Sequence, residues 1–314
     1  MTRKKVTVVG AGMTGGSMVQ RLAEKNICDI VVQDVPEFQH HGKALDIKQS
    51  GPILGFETNI TATDGWDETA GSDVVILTAG VPRKPGMSRE DLLNANAEIV
   101  ADKARNAARL SPNAVIIVFA NPMDAMCHVA MQASGFPRER VIGQGGMLDS
   151  TRFRTFLAME LGVSPRDVHA FVLGGHTDTT MVPVVSLAEA GGMPVSRLLT
   201  KERIEAIVER TMKGGAELVQ LYKTGSAYFA PSAATIAMTE AILLDEGRLV
   251  PCSVLLKGEY GVDGVFCGTM VKLGEGGVQQ VYEVPVSADE RAAILRAADA
   301  TRELVQLLGQ AAKV

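Results

Sequence analysis

Cysteine is scarce in this 314-residue chain: Cys28, Cys127, Cys252 and Cys267 are the four present, and no two form a C-x-x-C pair. Such scatter excludes a disulfide framework and gives no metal-ligand spacing, so no metal site is expected and free thiols in a reducing compartment are. Positive charge is not in excess either, since 31 Lys and Arg face 36 Asp and Glu for a net charge of -5. Without a basic footprint neither nucleic acid nor an anionic membrane surface is an expected partner, and an anionic substrate must be drawn by locally placed arginines. No stretch reaches the roughly 18 uncharged apolar residues of a membrane span. The run Val6-Thr7-Val8-Val9 near the N-terminus is too short, and too soon broken by Gly10, for a signal peptide. A cytoplasmic location is therefore expected. Repeats and low-complexity tracts are missing too. With 46% hydrophobic and 21% charged residues, the composition is that of a globular protein with sizeable cores, and its length suits one or two domains at about 150 residues each.

What is present is a rhythm. Short β-branched runs at Val6–Val9, Ile30–Val32, Val74–Leu77 and Val115–Phe119 alternate with helix-like segments at about 13–25, 42–50 and 91–109. That alternation predicts a doubly wound parallel sheet, an N-terminal Rossmann domain over 1–148 whose ligands sit beyond the carboxyl ends of its strands. After residue 148 a helix-like stretch (149–162), a β-rich run (168–186), helical patterns (201–222 and 227–246), strand-like runs (249–273) and a closing helix (287–311) cluster by type. This predicts a C-terminal α+β domain over 149–314, with an active site between the two halves.

Four constellations fall at the predicted strand ends. Gly10-Ala11-Gly12-Met13-Thr14-Gly15 follows a strand and opens a helix, a context in which backbone N–H groups can approach a pyrophosphate. Asp34 stands 22 residues after Gly12, where a carboxylate accepts from a ribose diol and repels a 2′-phosphate, favouring NAD over NADP. Asp149 and His176 pair the side chains of a general acid/base and its orienting carboxylate. Arg83, Lys84 and Arg89 lie in a Gly- and Pro-rich loop suited to carry guanidinium groups onto a carboxylate, and Asn121 and Arg152 offer a donor and a second fork. Taken singly, each has an ordinary reading as a packed histidine, a solvated loop, a turn asparagine or a surface cation.

As a set, in this order along the chain, the motifs Gly10-Ala11-Gly12, Val81 to Arg89, Asn121-Pro122, Leu148-Asp149-Ser150-Thr151-Arg152 and Gly175-His176-Thr177-Asp178 resemble the lactate/malate dehydrogenase family over essentially the whole chain. Arg83, where lactate enzymes typically carry Gln, and the small residues Ser226 and Ala227 resemble the malate branch. The resemblance implies NAD as cofactor, held by Gly10, Gly12, Met13, Gly15, Asp34, Asn96 and Asn121. It implies malate and oxaloacetate as the small-molecule substrates, with His176 as acid/base, Asp149 orienting it, Arg152 on the first carboxylate, Arg89 and Asn121 near the C2 oxygen and Arg83 on the second carboxylate. The segment Gly42 to Ile47 resembles the family's subunit-contact helix, which implies a homodimer or homotetramer. Rival readings are a lactate or other 2-hydroxyacid dehydrogenase and a non-catalytic NAD-binding protein; in the latter, decay should have broken at least one of Asp149, Arg152, Arg89 and His176.

Overall fold

The computed structural model describes residues 3–81 and 89–311. The first half runs β1 (Lys5–Val9), α1 (Met13–Lys25), β2 (Asp29–Gln33), α2 (His40–Leu54), β3 (Ile60–Thr63), β4 (Val74–Leu77), α3 (Arg89–Leu110), β5 (Val115–Val118), α4 (Met123–Ser134) and β6 (Val141–Gly143). Then follow α5 (Gly145–Leu161), β7 (Val168–His169), β8 (Val172–Gly174), β9 (Met181–Pro183), β10 (Glu189–Ala190), β11 (Met193–Pro194) and α6 (Val195–Leu198). The chain closes with α7 (Lys201–Tyr222), α8 (Phe229–Leu243), β12 (Arg248–Lys257), β13 (Asp263–Gly274), β14 (Gly277–Tyr282) and α9 (Ala288–Ala311).

Strands β3-β2-β1-β4-β5-β6 lie side by side in parallel, in the order of a doubly wound nucleotide-binding sheet. Their residues alternate between two apolar layers. Val6, Val8, Ile30, Val74, Ile76, Val115 and Ile117 face the layer that contains Met18 and Leu22 of α1. Val9, Val75, Leu77, Ile116 and Val118 face the layer with Leu93 and Val100 of α3 and Met126 of α4. Because both faces are covered, the central strands β4 and β5 are apolar throughout instead of alternating with polar residues.

The second half adds most of its strands to this sheet and forms one small antiparallel sheet of its own, β11-β10-β7. Antiparallel β12 pairs with β6 through Ser253 and Gly143, and β13, β8 and β9 extend the same sheet. A third apolar cluster joins Phe153 and Leu157 of α5 to Val168, Val172, Ile204 and Ile207. Helix α5 begins at Gly145, four residues before the start read from sequence, so the expected 148/149 boundary falls within its first turn. The elements the sequence reading omitted are β3, α4, β6, β10, β11, α6 and β14. Among the described residues, no helix is long and apolar enough to cross a membrane.

Candidate active site

Strand β1 ends at Val9, and Gly10 turns the chain at φ +104°, a left-handed conformation that L side chains rarely adopt. A Cβ on Gly10 would stand 2.4 Å from Thr78 Oγ1, and one on Gly15 would stand 1.8 Å from the Gly10 carbonyl oxygen. The turn is therefore packed tightly on its inner side. Gly12, the N-cap of α1, differs: a Cβ there would meet nothing within 4 Å among the described residues, and no side chain caps the helix. The first turn thus presents bare N–H groups to an open space, which fits a pyrophosphate. Asp34, just past β2, accepts hydrogen bonds from the backbone N–H of Ala11 at 2.5 Å and of Val35 at 2.8 Å, which fixes its carboxylate beside this loop. Lys43 of α2, which the sequence reading did not single out, donates from Nζ to the Ala11 carbonyl.

Asn96 is buried on α3 and holds two strand-end loops together. Its Oδ1 accepts from the Val81 N–H at 2.8 Å, and its amide donates to the carbonyls of Val81 at 3.3 Å and Asn121 at 2.7 Å. Both amide hydrogens are thereby committed to backbone, so Asn96 positions the loops. Asn121, in the loop after β5, lines the cleft described next, and Met13, the first residue of α1, is exposed.

A cleft of about 590 Å³ lies between the strand-end loops and the second half. Arg152 and His176 line it together with Gln144, Ser226 and Ala227. His176 stands in the loop after β8, and its Nδ1 is 2.7 Å from Asp149 Oδ2. The other oxygen of Asp149 takes Arg152 Nη1 at 3.0 Å, one helical turn along α5. Asp149 is 1% exposed, so this carboxylate is shared by the His176 ring and the Arg152 guanidinium away from bulk water. Two glycines make the arrangement possible: a Cβ on Gly145 would meet the His176 ring at 2.6 Å, and one on Gly214 of α7 would meet Arg152 Cδ at 3.1 Å. Arg152 Nε is buried with no hydrogen-bond partner among the described residues.

A further carboxylate is Asp124, in the first turn of α4. It accepts the His176 backbone N–H at 2.9 Å and the Ser253 hydroxyl at 2.6 Å. The sequence reading missed it; its signal was a lone charge in the otherwise apolar run Met123-Asp124-Ala125-Met126-Cys127. Burial raises the Asp124 carboxyl above its ordinary range, outweighing the hydrogen bonds from Ser253 and His176. For His176, burial is the largest single effect and disfavours the imidazolium. The charge and hydrogen bond of Asp149, with the charge of Asp124, outweigh it, and His176 is held above the usual histidine value of 6.5.

Of the expected site, the structure brings His176, Asp149 and Arg152 into direct contact and lines one cleft with Asn121, Arg152 and His176. Arg83 lies outside the described residues, and Arg89 is described only as the first residue of α3.

Residues 4–143 match the family described as lactate/malate dehydrogenase, NAD binding domain, and residues 146–308 match lactate/malate dehydrogenase, alpha/beta C-terminal domain. The chain belongs to the lactate/malate dehydrogenase family. A malate dehydrogenase from Thermomicrobium roseum is 52% identical, covering 98% of this chain and 99% of its own. The solved malate dehydrogenase of Salinibacter ruber superposes with a TM-score of 0.93 at 46% identity, covering 98% of each chain. A lactate dehydrogenase from Cryptosporidium parvum, solved with lactic acid and NAD, superposes with a TM-score of 0.95 at 37% identity, covering 98% of this chain and 99% of that one. Membership of the lactate/malate dehydrogenase family accounts for the parallel strand order and the glycine cradle alike.

Proposed function

We propose that this chain is an NAD-dependent malate dehydrogenase, interconverting malate and oxaloacetate, with a cytoplasmic location. The carrying observation is the buried Asp149 carboxylate shared by His176 Nδ1 and Arg152 Nη1 at the wall of the cleft. The malate dehydrogenases from Thermomicrobium roseum and Salinibacter ruber, similar over nearly the full chain, support the choice of substrate.

The cradle of Gly10, Gly12, Met13 and Gly15 would hold the cofactor's pyrophosphate and Asp34 its ribose diol, with Asn121 at the strand-end loop toward the substrate. Bound NAD supplies the acceptor for the hydride that leaves C2. His176 does the proton chemistry: with Nδ1 engaged by Asp149, Nε2 takes the hydroxyl proton of malate and returns it in the reverse direction. Asp149 fixes the ring and stabilises the imidazolium, as buried carboxylates do beside catalytic histidines. Arg152 pairs with the C1 carboxylate through donors that Asp149 leaves free. Arg89 and Asn121 meet the C2 oxygen and Arg83 the distal carboxylate, so a dianionic substrate finds cations at both ends. Leu45, Ile53 and Leu54 of α2 are 57%, 88% and 55% exposed, and burying them against a second copy supports a homodimer or homotetramer.

The test is a side-by-side assay of NADH oxidation with oxaloacetate and with pyruvate, run with a gel-filtration mass. Preference for oxaloacetate by about 10²-fold or more in kcat/KM supports the assignment, because pyruvate would leave a loop cation unpaired in the closed site. Preference for pyruvate would make the chain a lactate-type enzyme.

A further inference from the structure

Outside the catalytic cleft, His40 and His41, the first two residues of α2, converge on Asp64, the residue after β3. His40 Nε2 and His41 Nε2 each lie 2.9 Å from the same oxygen, Asp64 Oδ1, and the three potential ligand atoms fall within 4.8 Å of one another. His41 and Asp64 are explained by an ordinary hydrogen bond, for which their alignment is suitable. His40 is not. Its ring is wholly buried, and among the described residues neither nitrogen makes an aligned hydrogen bond, although Nε2 approaches the carboxylate closely. An imidazole kept from water with a nitrogen directed at a shared carboxylate needs another partner.

We propose that His40, His41 and Asp64 form a binding site for a divalent transition-metal ion, with Zn²⁺ as its probe. Two imidazoles and one carboxylate suit Zn²⁺, Ni²⁺ or Cu²⁺ better than Mg²⁺ or Ca²⁺, which favour all-oxygen sites. Bonds of about 2.05 Å set neighbouring ligand atoms about 2.9 Å apart at a right angle and about 3.3 Å apart at the tetrahedral angle. The 2.9 Å spacings therefore match the first and reach the second with small adjustments. His41 and Asp64 side chains are 60% and 54% exposed, which gives an ion a path from solvent and room for water in the remaining positions. The ion would clasp the start of α2 to the end of β3. The same strand pair carries Asp34, whose backbone N–H bonds the Thr63 carbonyl at 3.4 Å. Spacing along the chain hides this cluster, because two adjacent histidines meet a carboxylate from the neighbouring strand.

The experiment is calorimetric titration of the chelator-treated full chain with Zn²⁺ alone, alongside thermal unfolding with and without the ion. His41→Asn and Asp64→Asn are the variants, since both positions are exposed and outside the catalytic cleft. The expected result is saturable binding of one ion per chain and a raised Tm in the wild type. Each variant should weaken binding at least about tenfold, the lower scale for disturbing even an outer-sphere partner, and lose the Tm rise. Absence of saturable one-to-one binding in the wild type, or a loss below about tenfold in either variant, overturns the proposal.

Discussion

Replacing Gly145 by Ala puts a methyl group where the His176 ring already stands. The added Cβ would lie 2.6 Å from His176 Cγ and 2.7 Å from its Cβ and Nδ1, against the 3.4 Å at which ordinary contact begins. Relief requires a displacement of about 0.8 Å, the difference between 3.4 and 2.6 Å, shared between the imidazole and the start of α5. Part of that movement stretches the 2.7 Å hydrogen bond to Asp149 and moves Nε2 from the substrate hydroxyl. Misplacement of a reacting group by about 1 Å can cost 10²-fold, so Gly145→Ala should lower kcat for oxaloacetate reduction by about 10- to 100-fold. NADH binding, read by fluorescence, should stay near wild type, because the close neighbours of the cradle glycines Gly10 and Gly15 are Thr78 and Ala79 and not His176 or Gly145. Helix propensity works the other way: Ala in place of a helical Gly favours the helix by about 0.5–1 kcal/mol. A general loss of folding would therefore point to the clash and not to the helix. A kcat within about threefold of wild type, far short of the scale for such a misplacement, would refute the reasoning.

His176→Asn should lower kcat by at least about 10²-fold, the usual scale of a positioned acid/base, with NADH fluorescence titrations unchanged; near-normal turnover removes the role. Arg83→Gln should cut kcat/KM for oxaloacetate and raise it for pyruvate, since a buried unpaired charge costs roughly 3–5 kcal/mol, or about 10²–10⁴-fold. A ratio within about threefold of wild type, well under one decade, would undo the argument. Asp34→Ser should narrow the preference for NAD over NADP, chiefly by weakening NAD, and equal kcat/KM for the two cofactors in the wild type would contradict the ribose role.

The parts of this molecule legible in its sequence share one property: a local pattern sufficient by itself. Val74–Leu77 is wholly buried between two helical layers, and four successive apolar β-branched or Leu residues announce that. Helix α1 starts at Met13 and ends beside Lys25 because the glycine turn and Asn26, in the left-handed region at φ 54°, bracket it. Strand β3 escaped because it alternates Ile60-Thr61-Ala62-Thr63 at a sheet edge, and β6 because it is three residues long. Helix α4 has five consecutive buried residues, Met123 to Cys127, at its start, so it shows no polar face there from which a helical period can be read. The site divides in the same way. The glycine cradle and Asp34 sit at a fixed spacing around one strand-helix-strand unit, whereas Asp149 and His176 are 27 positions apart and meet because α5 begins, and β8 ends, at the cleft. Asp124 needed the fold outright, since its partners Ser253, on β12, and His176, in the loop after β8, lie far from it in sequence.

The central claim, that one imidazole held by Asp149 serves both directions of the reaction, is tested most directly by kcat/KM against pH in each direction. A primary deuterium isotope effect must first show that hydride transfer limits the rate. Reduction of oxaloacetate uses the imidazolium, so its rate should be full at low pH and fall as pH rises through the His176 pKa. Oxidation of malate uses the neutral ring and should rise through the same value. That value should lie above 6.5, because Asp149 and Asp124 outweigh the effect of burial, and Asp149→Asn should move it down. Mirror-image profiles about one pKa above 6.5 are the predicted result; parallel trends in the two directions, or a shared pKa at or below 6.5, would contradict the account.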